Sequence, residues 1–240
     1  MREKLELQGG AGRLEGDLYL PEGTAPFPTV ILCHGLTSCK ENYADVAEAL
    51  QQEGFAALAY DCRGHGASEG GLDGDAWRDV GTVLEYCRRH PRVDAKRIGL
   101  LGASMGAHDG LRAAAEYALL RTVVAFCTAP GALLKMGLLN SAYWRSIAAV
   151  GGRVRVVLPD YLTYLEGEDI FDLPRRIQPR PMLFIHARDD EFIPYAVSER
   201  LYGAAGGESR LLLLDSGGHR GPRHDPKVQR QVADWLKEKL

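Results

Sequence analysis

Residues 97–110 read RIGLLGASMGAHDG. An apolar run of the kind that makes a buried strand breaks into Gly-Ala-Ser-Met-Gly, with one hydroxyl at its centre, and continues in residues that suit a helix. A chain that only had to turn would use Asn-Gly or Pro-Gly. A serine hydroxyl is a weak nucleophile in water, so a reactive one must project clear of its surroundings and meet a base. A tight strand-turn-helix elbow does the first, and Gly102 and Gly106 leave room where a Cβ would obstruct it. The helix that begins after Ser104 also aims free N–H groups at the reacting centre, favouring developing negative charge. G-x-S-x-G by itself is a common turn; the strand before it and the helix after it make Ser104 a candidate nucleophile.

The same pattern of strand and helix repeats along the chain. Apolar runs recur at 29–33 (TVILC), 55–60 (FAALAY), 97–101, 122–126 (TVVAF), 181–186 (PMLFIH) and 209–214 (SRLLLL). Continuous apolarity over five or six residues, bounded by Gly or Pro, predicts strands covered on both faces, as in a parallel sheet. Between them lie helically spaced stripes: Tyr43, Val46, Ala47 and Leu50; Trp77, Val80, Val83, Leu84 and Cys87; Val228, Val232, Trp235 and Leu236. This predicts an α/β fold with helices on both faces of the sheet. Lys4 to Leu20 alternates more weakly around Gly9, Gly10 and Gly12, which suits an antiparallel hairpin at the sheet edge. No internal repeat, low-complexity tract or linker interrupts the pattern.

In such a sheet active groups collect in the loops at the carboxyl ends of the strands. Those loops hold Ser104, the acids of HARDDEFIP (186–194) and the histidines of DSGGHRGPRHDP (215–226). Asp189 and Asp190 compete for one role, and backbone alternation should point them in different directions. His219 stands just past the last strand behind two glycines, where a turn can bring it back over the sheet. His224 opens the final helix in an Asp-Pro context typical of a helix start.

Bulk properties narrow the function. The 240 residues, 45% hydrophobic and 25% charged, are enough for a substantial core. A formal net charge of −3 supplies no basic field for nucleic acid. No run resembles a signal peptide or approaches the roughly 18 apolar residues of a membrane span, so a cytoplasmic protein without membrane contact is expected. Cys33, Cys39, Cys62, Cys87 and Cys127 lack zinc-site or redox-pair spacing. A bridge between Cys33 and Cys39 stays open at this level.

The sequence resembles α/β-hydrolase-fold serine hydrolases, of the small esterase and serine-aminopeptidase-like group. The likeness runs from PTVILCHGLTS through YDCRGHGASEG, VDAKRIGLLGASMGA and IHARDDEFIP to GGH, over nearly the whole chain. It implies an eight-stranded, mostly parallel sheet in one domain over 1–240, with a small lid insertion at about 130–178. It also implies a Ser104, His219, Asp190 triad. In similar proteins the acid stands three residues before the Val or Ile that precedes Pro, which maps to Asp190 ahead of Ile193 and Pro194 and decides against Asp189. The usual Gly after the loop's His is Ala187 here.

The resemblance further assigns the oxyanion hole to the backbone N–H groups of Leu36 and Met105, two donors worth roughly 3 to 4 kcal/mol each in activation free energy. His34 is expected to brace its loop, Asp61 and Arg63 to pair in the DCRGHGASEG buttress, and His108 to be a buried or wall-lining group. Within the insertion, LLKMGLLNSAYWRSIAAV has the apolar character of a helix over the site and RVRVVLP that of a short strand. Leu138, Tyr143, Trp144 and Ile147 are the candidate acyl or alcohol pocket, or else helix core. The expected activity is hydrolysis of a small-molecule ester through an acyl-enzyme, by a monomer or homodimer, with no metal or organic cofactor. Acyl transfer, thioester or amide cleavage on the same triad, and a non-catalytic binding role on the same fold, remain alternatives.

Overall fold

A computed structural model describes residues 1–140 and 154–240. The eight strands are β1 (Arg2–Gly9), β2 (Gly12–Tyr19), β3 (Phe27–Cys33), β4 (Ala56–Tyr60), β5 (Val93–Ala103), β6 (Leu120–Phe126), β7 (Met182–Ala187) and β8 (Arg210–Leu214). They form one sheet in the order β1-β2-β4-β3-β5-β6-β7-β8. The hairpin β1–β2 pairs antiparallel from Arg2 opposite Tyr19 to Gly9 opposite Gly12, and β2 lies antiparallel to β4. Every other pairing is parallel.

Helices cover both faces: α1 (Ala44–Gln52), α2 (Asp79–Arg89), α3 (Met105–Glu116), α4 (Gly131–Leu139), α5 (Leu158–Gly167), α6 (Leu173–Ile177), α7 (Ala196–Ala205) and α8 (Pro226–Lys239). The continuous apolar strands divide their side chains between two cores. In β3, Ile31 and Cys33 join the layer under α2 and α3, while Val30 and Leu32 join the layer under α1 and α8. The same split recurs in β6, with Val123 and Ala125 on one side and Val124 and Phe126 on the other. Side chains of a strand alternate between faces, so a strand covered twice must be apolar throughout. β8, the edge strand, is only half-buried.

Between β6 and β7 the described chain runs through α4, α5 and α6. The strand expected over RVRVVLP is not formed as such: Val154 and Val156 make isolated bridges to His65 and Leu72, and helix α5 begins at Leu158. Pro159 in the first turn of α5 supplies a preset helical φ where its missing N–H costs nothing. Among the described residues no helix is long and apolar enough to cross a membrane.

Candidate active site

Ser104 sits at the turn between β5 and α3 with φ 56° and ψ −117°, a left-handed backbone that a side-chain-bearing residue rarely adopts. Such strain costs about 1–3 kcal/mol and persists only where the surroundings over-determine it. They do so here: Ser104 N–H donates to Phe126 O at 3.0 Å, and Ser104 O accepts from His108 N at 3.1 Å. Packing closes the elbow from both sides. A Cβ on Gly106 would meet Cys33 O at 2.2 Å, and one on Gly102 would meet Gly106 O at 2.3 Å. The two glycines of the G-x-S-x-G pattern are therefore steric requirements.

The structure brings His219 and Asp190 together and separates their competitors. His219 Nδ1 lies 2.9 Å from Asp190 Oδ2. Asp190 Oδ1 accepts from the Phe192 and Ile193 amides, each at 2.9 Å. Burial of Asp190 works against ionisation, but hydrogen bonds from His186, His219 and the Ile193 amide outweigh it and hold the carboxyl well below its ordinary range. Asp189 instead caps the turn that carries the histidine, accepting from Gly218 N at 2.8 Å and Gly217 N at 3.2 Å. Glu191 Oε2 accepts from His219 N at 3.0 Å. His224 points elsewhere, with Nδ1 2.7 Å from Asp45 Oδ2.

Cys127 joins this cluster, a residue that sequence reasoning passed over. It follows Phe126, the acceptor of the Ser104 amide, and its thiol donates to His219 O at 3.4 Å. The end of β6 thus touches both the elbow and the histidine loop. Cys127 has φ 37°, the other non-glycine residue with positive φ among those described. Burial pushes its thiol up to about 12, so it is protonated and a donor.

The second wall is the loop after β3. His34 Nδ1 lies 2.9 Å from Gly35 O, and the Cys62 amide donates to His34 Nε2 at 3.0 Å. An amide donor on Nε2 leaves the proton on Nδ1, so the ring donates to the Gly35 carbonyl. Burial lowers the His34 pKa and keeps it neutral. The Gly35 carbonyl and the Leu36 N–H belong to one trans peptide and point opposite ways, so His34 sets the direction of the Leu36 amide. Gly35 itself abuts the nucleophile, since a Cβ there would stand 3.4 Å from Ser104 Cβ. His65 Nε2 holds Leu36 O at 2.9 Å, and its ring lies 4.9 Å from that of His34. Met105 is the first residue of α3, where the amides have no intrahelical acceptor.

The remaining expectations fare unequally. Asp61 and Arg63 do not pair. Asp61 accepts from Lys40 Nζ and Lys40 N, both at 2.8 Å, while Arg63 binds Asp79 at 2.7 Å and Asp73 at 2.9 Å. Each ion is satisfied by charged partners outside the DCRGHGASEG stretch. The five cysteines are free, with Cys33 against Tyr60 Oη at 3.6 Å. His108 is buried on α3, as expected, and donates from Nδ1 to Ala129 O at 2.9 Å, while the Ala129 amide donates to Ser104 O at 3.3 Å. Leu138 is 2% exposed and packs in the larger core. Tyr143, Trp144 and Ile147 lie outside the described residues.

Among the described residues, two groups of side chains have the spacing to hold a metal. The donor atoms of Cys127, Asp190 and His219 lie within 4.8 Å of one another, yet a protonated thiol and an imidazole already bonded to the carboxylate suit a hydrogen-bond array better than a ligand set. Cys39, Glu41 and Asp61 also converge, but the Lys40 ammonium lies at 2.9 Å from Glu41 and 2.8 Å from Asp61 and is itself the cation there.

Residues 24–163, more than half of the chain, match the family described as serine aminopeptidase, S33. The chain belongs to that family. Among curated relatives of this S33 member is the putative esterase YitV of Bacillus subtilis, 27% identical over 73% of this chain and 73% of that one. Another is the esterase FrsA of Klebsiella pneumoniae, 28% identical over 96% of this chain but 57% of FrsA. Among solved structures, the α/β hydrolase GrgF from a Penicillium species superposes with a TM-score of 0.84 at 18% identity, covering 100% of this chain and 99% of that one. The Pyrococcus furiosus esterase PF2001 does so with a TM-score of 0.79 at 23% identity, over 100% and 91%. The eight-stranded α/β-hydrolase fold is shared with both, and family membership makes the chain an esterase-like serine hydrolase.

Proposed function

We propose that this S33 family member hydrolyses carboxylic esters of small molecules through an acyl-enzyme on Ser104, with His219 as base and Asp190 as its orienting acid. The observation that carries this reading is the 2.9 Å contact of His219 Nδ1 with Asp190 Oδ2 in a loop held against the strained Ser104 elbow. The contact fixes the tautomer in which Nε2 is free to take a proton. In the first half-reaction the Ser104 hydroxyl adds to the ester carbonyl as its proton passes to His219. His219 then gives that proton to the departing alcohol. In the second half water adds to the acyl carbonyl as its proton passes to His219, and the carboxylic acid leaves as His219 returns that proton to the Ser104 oxygen. Asp190 stays ionised throughout and stabilises the imidazolium. The Leu36 and Met105 amides receive the oxyanion, the first aimed by His34.

The stretch between β6 and β7 is proposed as the substrate-facing insertion, with Tyr143, Trp144 and Ile147 as its candidate apolar contacts, while the buried Leu138 belongs to the core beneath it. Labelling by a fluorophosphonate probe tests the nucleophile. Ser104→Ala should abolish labelling and lower turnover of p-nitrophenyl acetate by several orders of magnitude with the fold intact. Near-normal activity in that variant overturns the mechanism. A panel of aryl esters of rising acyl length, feruloyl esters and aminoacyl amides then identifies the substrate class.

A further inference from the structure

Asp190 Oδ2 is shared by two imidazoles. His219 Nδ1 approaches it at 2.9 Å from the loop after β8, and His186 Nε2 at 3.1 Å from within β7. His186 is 0% exposed, and the same Nε2 also lies 3.0 Å from Ile193 O. Both neighbours of Nε2 accept, so that nitrogen carries the proton. On the far side of the ring, Nδ1 meets the Ser198 hydroxyl at 2.7 Å, which serves as the donor to it. Ser198 is fully buried in the first turn of α7, its amide bonded to Tyr195 O at 2.9 Å. The ring is thus partnered at both nitrogens, with Nε2–H turned to the carboxylate, clamped between a helix start and Asp190.

We infer that His186, held by Ser198, is a positioning residue for the reaction: it fixes the carboxylate of Asp190 so that Oδ2 faces His219, and it takes a share of that oxygen's negative charge. The inference rests on the Ser104, His219, Asp190 reading above. A carboxylate with one oxygen bound to backbone amides and the other to two ring N–H groups has no freedom to rotate away from its partner. Without the His186 donor, Oδ2 gives its full charge to His219 and holds the imidazolium more tightly. The base then keeps its proton to higher pH, and its orientation loosens. Among the described residues, the other titratable groups bonded to the His219 turn, Asp189 and Glu191 of the acid loop and Cys127 of the β6 end, are left in place by substitution at 186.

The test compares His186→Leu, His186→Gln and Ser198→Ala in steady-state hydrolysis of p-nitrophenyl acetate from pH 5 to 9, with melting curves beside each. His186→Leu should lower kcat about 10- to 100-fold at nearly constant KM, as loss of orientation at a reacting group does. It should move the acid limb of the pH profile upward by roughly half a unit or more. His186→Gln, whose amide nitrogen can replace the Nε2 donor, should recover most of both. Ser198→Ala, a small change in volume, should show the same upward movement to a lesser degree, and it decides the matter if His186→Leu does not fold. An unmoved acid limb in Ser198→Ala and in any folded His186→Leu, or a His186→Gln no better than Leu, overturns the inference. Asp190→Asn runs alongside: if it stays active the triad itself is wrong, whereas an inactive Asp190→Asn beside an unaffected His186→Leu removes the positioning role alone.

Discussion

Gly106 approaches the end of β3 so closely that a Cβ on it would stand 2.2 Å from Cys33 O and 2.5 Å from His34 O. Both obstacles are backbone atoms, so no rotamer change relieves the contact. The position joins the nucleophile helix to the strand whose next loop carries Gly35 and Leu36. Gly106→Ala should therefore push α3 away from β3, lower stability by about 3 kcal/mol or more and reduce activity further than stability alone accounts for. Thermal melting and ester turnover measure the two effects. A near-native melting temperature would mean that β3 retreats at little cost.

The strain at Ser104 makes a prediction of opposite sign. Glycine adopts positive φ without a Cβ penalty, though it gains chain entropy in the unfolded state. The balance should leave Ser104→Gly more stable than the wild type by about 1 kcal/mol while removing activity altogether. Denaturant melts compare the two proteins, and a less stable variant would show that the elbow is relaxed.

The two acids and two histidines should separate cleanly. Asp190→Asn replaces the acceptor shared by His219 and His186 and should cut kcat by about 10³–10⁴. His219→Ala should be comparably severe. Among the described residues the Asp189 side chain bonds the turn amides of Gly217 and Gly218 and the His224 ring bonds Asp45, so Asp189→Asn and His224→Ala should each cost less than about tenfold. Equal losses within either pair would contradict the geometry.

Asp109 on α3 ties stability to pH. Burial raises its carboxyl from 3.8 to about 7; the Tyr164 hydroxyl, 3.4 Å from Oδ1, and Arg63 pull it down, while Asp79 adds to the rise. Between about pH 4 and 7 the folded chain holds a proton that the unfolded chain has released. Stability contributed by the protonated form is present below pH 4 and is lost as pH rises toward 7, by up to about 1.4 kcal/mol per unit from this group. Asp109→Asn, which keeps an oxygen for Tyr164, should flatten that dependence and be the more stable protein at pH 8. Urea midpoints at pH 5 and pH 8 for both proteins decide it; parallel slopes would mean that Asp109 titrates elsewhere.

What the sequence determined by itself was whatever follows from local periodicity and hard sterics. Apolar runs such as 29–33 and 122–126 could only be strands covered twice, and the hairpin about Gly9 and Gly12 and the elbow at Ser104 each declare themselves within a dozen residues. Alternation also implied that Asp189 and Asp190 face different ways, without saying which faces the histidine. That choice depends on how the 186–194 loop meets the 215–221 turn, a contact between segments some thirty residues apart. The resemblance to known hydrolases pointed to Asp190, and the fold places its carboxylate on His219. Only the tertiary structure paired Asp61 with Lys40 and Arg63 with Asp79, because a buried charge takes whichever opposite charge the packing brings nearest. Only it revealed Cys127 beside His219, and His186 and Ser198 behind Asp190. Those residues read in sequence as ordinary members of a strand end and a helix start, and they acquire a function from neighbours far along the chain.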